Sequence, residues 1–242
     1  MIKKPIGLIL GTGWGEIIKD LKDSKSTPYL KIFGHSTTVK GHSGTLIKGT
    51  INNSDVIILS GRFHTYEEYN SYEASQTIHY LHKQGVKQVI ITSAVGGLNP
   101  KYQVGDMVIL TDIITLFCQS PLKTNQFQDL TLPFSLNLQN KAIIAAKKSN
   151  IKYQQGIYTY VRGPHFETFS DKKALQIMGT DVVGMSTVPE TIMARYLGME
   201  ILGLSMVTNL AFEKVLHEDV LANSKKMEQQ FRLFFNNLFS LI

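Results

Sequence analysis

The sequence predicts an α/β fold, a single domain with a central mixed β-sheet flanked by helices. Three observations lead there. Short, β-branched apolar runs alternate with longer amphipathic segments, the pattern of strands and helices taking turns. The 242 residues are 43% hydrophobic and 18% charged, and a chain of this length buries roughly 70% of its unfolded surface without help from disulfides or metal. No Pro/Ser/Gly-rich linker divides it, so residues 1–242 are expected to share one core.

The elements follow in order. The start, Met1-Ile-Lys-Lys-Pro, is basic, but the apolar stretch behind it is too short and too broken by glycine for a signal peptide; residues 6–10 read as a first strand. A helical segment is expected at 14–21, strands at 44–50 and 55–60, and an amphipathic helix at 70–84. Strands at 87–93 and 106–112 come next, on the runs Val89-Ile90-Ile91 and Met107 to Leu110. The polar segment 115–140 holds Pro121 and Pro133; loops that long are usually functional or disordered. A helix at 137–149 precedes a strand at 155–161. The next helix, 170–178, is expected to be capped by Ser170-Asp171. A strand at 181–184, a helix at 188–198 and an apolar strand at 200–208 lead to a final helix at 217–240. There Phe231, Phe234, Phe235, Leu238 and Leu241 form one stripe for core packing.

Composition also excludes classes. The chain has 25 Lys+Arg against 19 Asp+Glu, but its basic residues fall in scattered pairs, so no nucleic acid is expected as partner. No run approaches the roughly 18 apolar residues of a membrane span. Cys118 is alone, which fits a reducing, cytoplasmic setting. Neither metal-ligand spacing nor a Gly-x-Ser-x-Gly elbow is present, so no metal is expected.

Six segments could carry chemistry, each at the end of an apolar run. Gly11-Thr12-Gly13-Trp14-Gly15 reads equally as a tight turn or as an anion site at a helix start. In Ser60-Gly61-Arg62-Phe63-His64-Thr65-Tyr66-Glu67, Arg62 supplies a planar donor fork, His64 projects to the same side if the chain is extended, and Glu67 could orient the imidazole. That suits oxyanion recognition, with an exposed salt bridge as the plainer alternative. Thr92 to Pro100 is expected to form a Gly-Gly turn that leaves the amides near Ala94 exposed. Gly163-Pro164-His165-Phe166-Glu167-Thr168 pairs a carboxylate with an aromatic, as a flat heterocycle would require, although an exposed loop Glu reads the same way. In Val183 to Glu190, Ser186 either caps a helix or donates to an anion. Asn209 offers a donor and an acceptor, as a purine edge requires, or is merely a turn residue.

Together, in this order, the segments resemble the trimeric purine nucleoside phosphorylases, the family that includes methylthioadenosine phosphorylases, over about residues 6–240. GRFHTYEEY, GGLNP with the following VGDMVILTD, GPHFET and VGMSTVPE carry the likeness most specifically. The resemblance implies phosphorolysis of inosine, guanosine and their deoxy forms to free purine and pentose 1-phosphate, in purine salvage by a cytoplasmic homotrimer. Inorganic phosphate is then a co-substrate and no cofactor is implied. By match to the family's motifs, Thr12, Arg62, His64, the backbone of Ala94, Ser186 and a mobile His42 would bind phosphate. Tyr66, Phe166, Met185 and His217 would contact the nucleoside, while Glu167 and Asn209 would hold the purine and, with His64, carry the catalytic work. Asn209 favours a 6-oxopurine where the methylthioadenosine branch typically has Asp.

Departures from the family pattern are Ser93 for Asn, Lys40 for Pro and a short 210–216 segment, which puts the placement of His217 in question. Leu132 stands where a neighbouring subunit usually contributes an aromatic, with Phe127, Phe134 or neither as its substitute. A methylthioadenosine phosphorylase, a nucleoside-binding protein with reduced turnover and a hydrolase are the alternative readings.

Overall fold

The computed structural model describes residues 4–39, 41–213 and 217–242, the side chains of His217, Asp219 and Lys226 apart. Nine strands make one sheet: β1 (Ile6–Leu10), β2 (Lys22–Pro28), β3 (Thr45–Ile51), β4 (Ser54–Ser60), β5 (Gln88–Gly97), β6 (Met107–Ile114), β7 (Tyr153–Tyr160), β8 (Val182–Gly184) and β9 (Glu200–Leu210). The helices are α1 (Tyr29–Phe33), α2 (Ser71–Ala74), α3 (Gln76–Lys83), α4 (Leu136–Lys148), α5 (Phe169–Ile177), α6 (Val188–Tyr196) and α7 (His217–Phe239).

The sheet order is β2-β3-β4-β1-β5-β8-β7-β6-β9, and β5 also pairs with β9. That extra pairing closes β5, β8, β7, β6 and β9 into a ring, while β2 to β1 continue as an open sheet. β1, β4, β5 and β9 are mutually parallel along this line. β1 is buried throughout and β4 nearly so, as parallel central strands covered on both faces must be. Alternate side chains enter two cores. Ile9, Leu59 and Ile91 meet Ile78 and Leu81 of α3 and Ile192 and Met193 of α6. Leu8, Leu10 and Ile58 meet α4 and the α7 stripe of Phe231, Phe234, Phe235 and Leu238, each at most 1% exposed. Burial of side chains this large contributes about 1.5–3 kcal/mol apiece. Trp14 stacks on Phe231 at 4.2 Å and donates Nε1–H to the Ser93 carbonyl, tying the end of β1 to both α7 and β5.

Several sequence expectations need correction. β2 and α1 were not foreseen: β2, Lys-Asp-Ser-Lys-Ser-Thr-Pro, is a mostly exposed edge strand whose charges oppose further pairing, so it carries no apolar alternation. The helix expected at 14–21 is a 3-10 helix over Gly15–Asp20. The one expected at 70–84 is two: α2 opens on the Asn70/Glu73 capping box and ends after a single turn at Ser75, from which α3 begins. The cap of α5 is Thr168, whose hydroxyl accepts from Asp171 N–H, and not Ser170-Asp171. Gly96 and Gly97 do not turn. They belong to β5, pairing with β8 on one side and β9 on the other, where the strand leaves β1 for the ring.

Candidate active site

The parallel strands β1, β4, β5 and β9 end around one cavity of about 590 Å³, the place where ligands enter sheets of this kind. Its wall includes Thr12 after β1, Arg62, His64 and Tyr66 after β4, Ala94 in β5, Met185 and Ser186 after β8, Asn209 near the end of β9, the Phe166-Glu167 loop and His42. Segments more than 200 residues apart, from Thr12 to Val220, thus share one cavity. The side chain of His217 lies outside the described residues, as do Lys40 and residues 214–216. The sequence did not single out Thr38, Val39 or Val220, which also line the cavity. These come from a loop and from α7, neither of which carries a motif.

Arg62 is where it is because Gly61 allows the chain to turn. Gly61 has φ +107, its N–H donates to Leu10 and its carbonyl accepts from the Tyr29 hydroxyl at 2.8 Å. The guanidinium is 1% exposed, so the expectation of a surface salt bridge is replaced by a buried cation. Nη1 donates to Ser186 Oγ at 2.8 Å, Nη2 to the Thr92 carbonyl at 2.5 Å, and Nε faces Glu190 Oε1 at 3.4 Å. An arginine has five N–H groups, so one on each terminal nitrogen remains for an anion in the cavity.

Beside it three rings stack, His42 on His64 at 5.2 Å and His64 on Tyr66 at 4.6 Å. His64 Nδ1 lies 2.9 Å from Glu67 Oε2, in a capping box that closes the short 3-10 helix Thr65–Glu67. Burial pushes the Glu67 carboxyl up, but bonds from His64 and Thr38 outweigh it and bring its pKa to about 2. Burial lowers the His64 pKa more than Glu67 raises it, so the ring is neutral with its proton on Nδ1. Burial, with His64 and Arg62 alongside, takes His42 down to about 3. Its Nδ1 accepts from Arg62 N–H at 3.4 Å, which leaves Nε2–H as a donor. Glu67 also accepts from Thr37 and Thr38, fastening the segment that leads to His42.

Ser186 does not cap α6; Thr187 does, at φ 69° and ψ −48°. The Val188 N–H donates to the Ser186 carbonyl at 2.7 Å across it, a γ-turn of a kind rare for a β-branched residue. The buried Tyr158 hydroxyl accepts from Ser186 N–H and donates to Ser186 O, each at 3.1 Å.

The opposite end is more open. Phe166 is 40% exposed, and burial raises the pKa of the half-buried Glu167 carboxyl. Gly163, at φ +70, holds a conformation that strains any other residue, and a Cβ there would push the Met185 side chain aside. Asn209 Oδ1 accepts from Thr208 Oγ1 at 3.1 Å; a Cβ on Gly96 would crowd its Nδ2. Phe134 is excluded as a partner for a neighbouring subunit: it is 3% exposed and packs on Gly203 in the core. Phe127 is 91% exposed and Leu132 60%.

The sequence profile of the phosphorylase superfamily matches residues 5–240. The chain is 34% identical to purine nucleoside phosphorylase 1 of Geobacillus stearothermophilus, over 95% of this chain and 88% of the relative. It is also 34% identical to the purine nucleoside phosphorylase of Mus musculus, over 98% and 89%. A crystal structure of a Schistosoma purine nucleoside phosphorylase in complex with hypoxanthine superposes with a TM-score of 0.90 at 32% identity, over 98% of this chain and 90% of the other.

Proposed function

From the premise that the chain belongs to the phosphorylase superfamily, among its purine nucleoside phosphorylases, we propose that it transfers the pentose of 6-oxopurine nucleosides to inorganic phosphate. One observation carries the reading: a buried arginine and two neutral histidines, His42 as donor and His64 as acceptor, line one end of a cavity whose other end holds an aromatic, a carboxyl and an amide. Phosphate takes the first end, held by the free N–H groups of Arg62, the Ser186 and Thr12 hydroxyls, the backbone at Ala94 and His42 Nε2–H. His64 Nε2 carries no proton and accepts from a protonated phosphate oxygen. The purine takes the second, stacked near Phe166.

A phosphate oxygen then attacks C1′ as the bond from C1′ to the purine nitrogen breaks. The transition state resembles an oxocarbenium ion, and its bonding electrons move into the purine ring. Asn209 stabilises that charge at O6 and N7, and Glu167 accepts from N1–H. Tyr66 and Met185 flank the sugar. The work is orientation and electrostatics, without a covalent intermediate or a cofactor. An amide at 209 and not a carboxylate is the reason for preferring a 6-oxo over a 6-amino purine.

The assembly is a homotrimer in the cytoplasm on this reading. Exposed Leu116, Phe117, Phe127 and Leu132, all within one loop segment, support a second copy as the covering surface. The test is purine release from inosine, guanosine, adenosine and methylthioadenosine, with and without phosphate. Phosphate-dependent release of hypoxanthine and guanine is expected. Phosphate-independent release, release from methylthioadenosine alone or no release at all overturns it.

A further inference from the structure

The phosphate end has a buried foundation that touches none of the expected ligands. Glu190, in the first turn of α6, is 2% exposed. Its Oε2 accepts from Thr187 N–H at 3.2 Å, and its Oε1 faces Arg62 Nε at 3.4 Å. A carboxylate this buried is expensive unless it is paired; here Oε2 accepts the hydrogen bond of the Thr187 turn, while Oε1 meets Arg62 Nε by charge at ion-pair distance, without a hydrogen bond. One oxygen fixes the γ-turn at Thr187, and with it the direction of Ser186. The other lies in ion-pair range of the guanidinium, which in turn donates to Ser186.

We propose that Glu190 is a positioning residue for phosphate, holding Arg62 and the Ser186 turn in one arrangement from behind. This rests on the reading that the arginine end of the cavity takes phosphate. Position and charge make opposite demands. A negative charge close to an anion repels it, so if Glu190 acted through charge alone, removing that charge would tighten phosphate binding. If it acts by position, the neutral isostere loosens binding despite the gain in net positive charge. The strain at Thr187 argues for position: a β-branched residue stays at φ 69° only while its surroundings hold it there.

The experiment is calorimetric titration of inorganic phosphate into wild type, Glu190→Gln and Glu190→Asp, beside KM for phosphate and for inosine, with thermal melts to check folding. Glu190→Gln should bind phosphate about 10- to 100-fold more weakly, with the inosine KM within about twofold. Glu190→Asp keeps the charge but shortens the reach, and should weaken phosphate binding in the same direction. Tighter or unchanged phosphate binding in a folded Glu190→Gln, or unchanged binding in Glu190→Asp, overturns the proposal. Binding is read without nucleoside, so the two readings fail separately. A wild type that binds phosphate but releases no purine would end the functional reading and leave Glu190's role to the titration.

Discussion

The two ends of the cavity are built differently. At the Arg62 end, three of the functional residues are held by other groups: Arg62 by Thr92 and Glu190, His64 by Glu67, and the Ser186 backbone by Tyr158 and the Thr187 turn. At the Glu167 end, Phe166 is substantially exposed, and Glu167 sits on a loop where, among the described residues, no ion pair matches that of Arg62. The difference teaches where the folding energy was placed. On the proposed reading, an anion end assembled in advance costs little reorganisation when phosphate arrives, whereas the base end would be completed by the ligand itself.

That contrast can be broken by substitution. Arg62→Ala should lower kcat/KM for phosphate by about 10²–10³ or more, while hypoxanthine binding measured alone changes only a few-fold. Equal losses of both would mean that the ends are not separate. Asn209→Asp should act on the other end, moving the ratio of inosine to adenosine turnover by about 10² toward adenosine without altering phosphate KM; a constant ratio would remove the base-recognition argument.

Glu67→Gln tests how firmly the anion end is built. The Glu67 pKa is depressed from its ordinary 4.5 to about 2, so its contribution to stability is fully present above the unfolded value and is lost as pH falls through the folded one. At neutral pH the variant should be less stable by about 1–2 kcal/mol in chemical unfolding, and the gap to wild type should close between pH 4.5 and 2. A gap that persists at low pH would assign the effect to packing. The smallest change is expected from Phe127→Ala: no loss of monomer stability, since the ring is 91% exposed, but a few-fold rise in nucleoside KM if it closes a neighbouring subunit's sugar pocket.

The sequence made the central strands and the motif-bearing turns legible because both leave local marks: β-branched runs for β1, β4 and β9, and glycines, arginine and histidine just past their ends. What it hid lacks such marks. β2 is polar because it is an edge, and Gly96-Gly97 reads as a turn although two flanking strands hold it extended. Phe127 and Phe134 look alike in sequence, yet Gly203 opens a space in the core that Phe134 shares with Leu110, while Phe127 stays exposed. The partnership of Arg62 with Glu190 spans 128 positions and is set by the packing of α6 against the sheet, which no spacing rule encodes.

The most direct test of the contrast between the ends is hydrogen exchange of backbone amides in the ligand-free protein and with phosphate or hypoxanthine bound. The Ser186 N–H, bonded to Tyr158, and the Thr187 N–H, bonded to Glu190, should exchange slowly without any ligand and change little on adding phosphate. Amides of Gly163 and of residues 165–168 should exchange faster and slow down with hypoxanthine. If the Ser186 and Thr187 amides exchange as fast as the Phe166 loop until phosphate is added, the anion end is not assembled in advance and the account is wrong.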